Sequence, residues 1–95
     1  MLDSSVVVKK SDTQVSCILN GEVAILNLDR ALYFGLTDVA AHIWESLQEP
    51  RTLADVCEDV MMQFDVAPEV CRADVSRFIV SMREAGLVQV AGLPG

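Results

Sequence analysis

One histidine, three cysteines and a short run of carboxylates are the residues of this 95-residue chain whose types could do chemistry. A cysteine nucleophile needs a base within hydrogen-bond reach. His42 lies between Ala41 and Ile43, far in sequence from Cys17, Cys57 and Cys71, and reads as the solvent side of a helix. One histidine and three scattered cysteines offer no ligand pair at zinc spacing, and a metal would require folding to gather Cys57 and Cys71. The thiols each sit among apolar residues and read as small buried hydrophobes. Asp55, Glu58 and Asp59 are spaced as a solvated helix face and not as a general acid and base. Of the Met61-Met62 pair, Met61 belongs to an apolar stripe and Met62 reads as ordinary partial exposure. The five glycines are spread over turns and the tail, so no phosphate loop is present. The expectation is no enzyme, no cofactor and no metal.

Composition points to a folded domain. Hydrophobic residues make up 52% of the chain and charged ones 22%, enough apolar surface to offset the entropy of ordering. Ninety-five residues suit a single domain, expected over 1–95 with an ordered core at about 6–90. The net charge of −7 would repel a phosphate backbone, and Lys9-Lys10 is the only adjacent basic pair, so nucleic acid is disfavoured. An acidic domain instead suits a basic or neutral partner. An odd number of cysteines without a C-x-x-C pair fits a reducing compartment. MLDSSVVVKK lacks the pattern of a signal peptide and no apolar run reaches membrane-spanning length, so a soluble, cytoplasmic protein is expected.

The elements that must position any site follow from periodicity. Val6 to Val8, Val15 to Leu19, Val23 to Leu28 and Ala31 to Phe34 are short aliphatic runs separated by polar turn residues, and predict strands. Asn20-Gly21 predicts a type I′ turn and a tight hairpin, and a second turn at Asp29-Arg30 would extend it into a meander. The run from Val23 to Leu28 is apolar at nearly every position, as expected of a strand covered on both faces. From Leu36 the period becomes helical. Leu36, Val39, Ala40, Ile43, Trp44 and Leu47 form a stripe behind Thr37 as N-cap, stopped by Glu49-Pro50. Thr52 caps a second helix carrying Leu53, Val56, Cys57, Val60, Met61 and Phe64, which ends near Asp65. Pro68 opens a third and longest helix whose stripe of Cys71, Val75, Phe78, Ile79 and Met82 stops at Gly86. Leu87 to Val90 reads as an extended tail, and Gly92 to Gly95 as loose.

The fold class is therefore α+β and winged helix-turn-helix-like: an N-terminal antiparallel meander of three to four strands followed by three helices. A small sheet with an edge strand beside an amphipathic helix is suited to peptide recognition. An extended peptide pairs its backbone with the edge, and its alternate side chains enter the groove. Sheet edges are also commonly protected by charge, twist or a covering loop, which is the competing reading.

Certain runs of residues add to this. Ala31-Leu32-Tyr33-Phe34-Gly35-Leu36-Thr37, Ala41-x-Ile43-Trp44-Glu45-x-Leu47, Arg51-Thr52-Leu53-Ala54-Asp55-Val56 and Asp74-Val75-x-x-Phe78-x-x-x-Met82-x-x-Ala85-Gly86-Leu87-Val88 together resemble the PqqD-like family of precursor-peptide recognition elements. The resemblance covers roughly Val15 to Val90. It implies a non-catalytic domain that binds the leader of a ribosomally made, post-translationally modified peptide and brings it to partner enzymes. It further implies a leader strand antiparallel to an edge strand and against the third helix. Carried onto this chain, the peptide-binding residues are Ala31, Leu32, Tyr33 and Phe34 on the strand and Asp74, Val75, Phe78 and Met82 on the helix. Which side of each faces the groove depends on the turn at Asp29-Arg30, because a one-residue slip reverses every side chain. Ala31 stands where many members of the family carry glycine.

Leu28-Asp29-Arg30-Ala31-Leu32-Tyr33 in a free-standing chain looks most like the separate recognition proteins of lasso peptide biosynthesis, which act with a transglutaminase-like leader peptidase. The alternatives are a PqqD-type peptide chaperone for a radical enzyme of quinone cofactor biosynthesis, a winged-helix DNA-binding regulator, and a structural subunit without a peptide ligand.

Overall fold

The computed structural model describes residues 2–92. In chain order the elements are β1 (Val7–Lys10), β2 (Gln14–Leu19), β3 (Glu22–Asn27), β4 (Leu32–Leu36), α1 (Asp38–Ser46), β5 (Arg51–Thr52), α2 (Leu53–Gln63), α3 (Pro68–Glu84) and β6 (Val88–Ala91). The fold is the expected α+β arrangement, a meander followed by three helices. Asn20 and Gly21 take φ of +53° and +80°, the two positive values that a type I′ turn demands, and Leu19 faces Glu22 across the hairpin. The meander has the order β2-β3-β4, which leaves β4 at an edge.

The strand expected at Val6 to Val8 does not join the meander. β1 forms a second antiparallel sheet of order β5-β1-β6. The end of β1 is tied to the far end of the chain: the Ser11 N–H donates to the Leu87 carbonyl at 2.9 Å and its hydroxyl to the Gly86 carbonyl at 2.9 Å. The residues just before it cap α2, whose first amides, Leu53 and Ala54, donate to the carbonyls of Val6 and Ser4. The extended tail thus becomes β6, while the loose end expected from Gly92 onward falls largely outside the described residues.

The helices lie on one face of the meander. Val23, Ile25 and Asn27 of β3 point inward with Trp44, Ile43, Val75 and Ile79 in one core. Covering from a single side leaves the other face of β3 open, so Leu26 is 40% exposed and the expectation of a strand covered on both faces is corrected. Cys17 shares that outer face opposite Ala24 and is exposed, unlike the buried thiol expected of it. Met61 is exposed too, because the buried stripe of α2 is completed by Leu53, Val56, Cys57 and Val60. Thr52 caps α2 as read, its hydroxyl accepting from the Asp55 N–H at 3.1 Å. Thr37 occupies the N-cap position of α1 without a side-chain bond, and Asp38 after it has φ of +52°.

Trp44 is fully buried. Its indole N–H donates to the Ser16 hydroxyl at 3.2 Å, and the Lys10 ammonium lies 4.6 Å from the ring centroid. Burial holds Lys10 below its ordinary value, partly opposed by Glu45.

Candidate functional site

Two walls are needed for a strand-accepting groove, and the sequence positions both. The first is β4. Its register with β3 pairs Asn27 with Leu32, Ile25 with Phe34 and Val23 with Leu36, so Leu32, Phe34 and Leu36 share the helix-facing side. Tyr33 and Gly35 point to the outer face, and Tyr33 is 69% exposed there. Because β4 has a neighbour on one side alone, alternate residues along it turn their amide and carbonyl groups away from β3.

The second wall is α3. Asp74 and Phe78 lie one turn apart on its surface, with Asp74 exposed and Phe78 half-buried, while Val75 and Met82 are buried beneath them. Between α1, α2 and α3 opens an apolar cavity of about 470 Å³, lined among others by Val39, Ile43, Phe64, Val66, Val75 and Phe78. Two carboxylates, Asp65 and Asp74, are the charged residues of its lining.

Asn27 fixes the distance between the walls. Its buried amide donates to the Ala85 carbonyl at 2.7 Å, and its oxygen accepts from the amides of Asp29 and Arg30 at 2.9 and 3.1 Å. Arg30 adds a bond from its guanidinium to the Glu84 carbonyl at 2.8 Å. The turn before β4 is therefore held to the C-terminal end of α3. At the other end of β4, Leu36 is buried and the chain turns into Val39 and Ala40, which line the cavity together with Asp74 and Val75. The strand accordingly runs beside the helix in the opposite direction. Sequence reasoning missed Asn27, although a lone polar residue in an apolar strand was the available signal.

Of the residues expected to bind a peptide, Leu32 and Phe34 face the helical side, and Asp74, Val75 and Phe78 meet at the cavity. Ala31 lies in the turn before β4 with φ of +53°, the conformation that suits the glycine expected there. Met82 is buried in the core and its carbonyl accepts from the Leu87 N–H, so it supports α3 from below.

The residues that could do chemistry are placed in structural roles. The His42 ring nitrogen lies 2.9 Å from an Asp59 oxygen, and Phe64 packs edge-on against the ring at 5.5 Å. His42 thereby joins α1 to α2 instead of simply facing solvent, and Asp59 has a partner that the sequence did not reveal. Cys57 and Cys71 meet across α2 and α3, the Cys71 thiol donating to the Cys57 carbonyl at 3.6 Å. Burial pushes Cys57 up to about 11 and raises Cys71 as well, which keeps both as thiols near neutrality. No group of three or more metal-ligating side chains is found among the described residues, and none of their helices is long and apolar enough to cross a membrane.

The sequence matches the family described as Coenzyme PQQ synthesis protein D (PqqD) over residues 22–88. No curated protein matches it. Among solved structures, TbiB1 in complex with the TbiA(beta) leader peptide is similar at 26% identity and a TM-score of 0.80, over 92% of this chain and 99% of that one. Lasso peptide synthetase B1 complexed with the leader peptide shares the fold at 20% identity and a TM-score of 0.77, over 86% of this chain and 96% of that one.

Proposed function

The chain belongs to the PqqD family, and from that footing we propose that it is a non-catalytic recognition protein for the leader of a ribosomally made precursor peptide. The observation that carries this reading is the edge strand β4 held beside α3 by Asn27 and Arg30, with an apolar cavity at the end of the strand. A leader strand adds to β4, its backbone completing the outward amide and carbonyl groups, while its inward side chains lie against Phe34, Val75 and Phe78. The strand runs antiparallel to β4. Tyr33 takes part through its backbone, since its side chain points to the other face.

Lasso peptide biosynthesis is the pathway this proposal favours. Two similar proteins of nearly the same length, TbiB1 and lasso peptide synthetase B1, are each described in complex with a leader peptide. The partner enzyme is then a transglutaminase-like leader peptidase, to which this chain delivers the bound precursor. Three free thiols suit a reducing compartment, and the cytoplasm is the location included in the proposal.

Titration of the chain with the leader of its precursor peptide tests the reading. Phe78→Ala should weaken binding by more than about 1 kcal/mol, as expected of an aromatic anchor, while Glu58→Ala on the exposed side of α2 stays near neutral. Equal affinities for the two variants, both shown to be folded, would contradict it. The chain alone should leave the precursor intact, and cleavage by the purified protein would overturn the non-catalytic assignment.

A further inference from the structure

The cavity at the end of β4 carries more information than its apolar lining. Its volume of about 470 Å³ lies in the range of clefts that enclose a small organic group, so it takes a bulky side chain with its flanking backbone. Val39, Ile43, Val60, Phe64 and Phe78 make that interior apolar. The charges in the lining are both negative: Asp65 on the loop from α2 to α3, and Asp74 on α3. Asp65 makes no ion pair among the described residues. Asp74 pairs with Arg77 at 3.3 Å, one turn along the same helix, with both side chains largely exposed. Such a pair is worth little in water and is readily exchanged for another cation.

We propose that the cavity reads a bulky apolar residue of the leader together with a neighbouring lysine or arginine, whose cation Asp65 and Asp74 accept. The proposal rests on the peptide-binding reading above and specifies the chemistry that the site selects. Apolar contact alone would admit many sequences, whereas two carboxylates in the same lining penalise an acidic neighbour and favour a basic one. The net charge of −7 acts in the same direction at longer range, drawing a basic peptide toward the domain. Polarity follows from the strand. A peptide antiparallel to β4 has its N-terminal end at Leu36, from which the chain turns into α1 and its cavity-lining residues Val39 and Ala40. The apolar and basic residues therefore lie N-terminal to the stretch that pairs with β4.

The experiment uses the full chain and a synthetic peptide of its precursor's leader, with amide shifts and affinity measured on the same samples. The Asp65→Asn, Asp74→Asn double variant should keep its melting temperature and bind about five- to tenfold more weakly at low salt. The difference should shrink at about 0.5 M salt, where exposed charges are screened. Exchanging the basic leader residue for glutamine should cost wild type the same factor and the double variant nothing further. If β4 amides shift on binding but affinity is indifferent to these changes, the inference fails and the recognition reading stands. If the leader neither binds nor perturbs β4, the recognition reading fails and the inference falls with it.

Discussion

The side-chain amide of Asn27 donates to the carbonyl of Ala85 at 2.7 Å across 58 residues of sequence, and this bond sets the turn before β4 against the end of α3. Gly86 makes the approach feasible. Its φ is +76°, and a Cβ there would come within 2.8 Å of the Asn27 nitrogen. Asn27→Ala removes the partner of two turn amides and one carbonyl in a buried setting. It should lower stability by about 2–3 kcal/mol. Denaturant unfolding of the variant measures this, and a loss below about 0.5 kcal/mol would show that the turn stands without Asn27.

Ala31 supplies a test of opposite sign. Its φ of +53° places a Cβ in the left-handed region, which costs an L-residue roughly 1 kcal/mol. Ala31→Gly should therefore stabilise the fold or leave it unchanged, after the greater entropy that glycine loses on folding is subtracted. Ala31→Val should be clearly destabilising, since a β-branched side chain tolerates this conformation worst. A more stable Val variant would contradict the turn geometry.

Trp44 anchors α1 under the meander. Its complete burial predicts that Trp44→Ala costs roughly 3–5 kcal/mol, the effect of a large cavity in a packed core. An unchanged melting temperature would contradict the placement of that helix face.

The buried thiols give stability an alkaline dependence. Cys57 is raised from 9.0 to about 11, so between those values the unfolded chain loses a proton that the folded chain keeps. The contribution is fully present below pH 9 and is lost as pH rises toward 11, with Cys71 adding in the same direction. Cys57→Ala should flatten the decline in stability measured from pH 8 to 11, although its baseline is lower. A decline as steep as wild type would show that Cys57 is not its source.

Much of the scaffold was legible from local signals. Asn20-Gly21 specified the first hairpin, Thr52 and Pro68 marked helix starts, and the stripes through Trp44, Val56 and Val75 gave the inward faces of all three helices. What escaped were relationships between distant residues. β1 leaves the meander because Ser11 finds Gly86 and Leu87, and no local pattern reports a bond spanning that separation. Leu26 and Cys17 read as core by hydrophobicity, but only one side of the meander has a helical layer. The same limit applied at the candidate site. Phe78 and Asp74 were named through the family resemblance, whereas Asp65, Phe64 and the wall-setting role of Asn27 emerge once three helices and a strand are brought together.

The central claim is that a leader adds a strand to β4 against α3. Backbone amide hydrogen exchange with and without the leader peptide addresses it most directly, because strand addition gives bonded partners to amides that otherwise face water. Protection should rise within Leu32–Leu36, together with side-chain shifts at Phe78, while the other edge of the meander at Gln14–Leu19 stays unchanged. Protection confined to Gln14–Leu19, or binding that leaves Leu32–Leu36 exchanging as in the free protein, would contradict it.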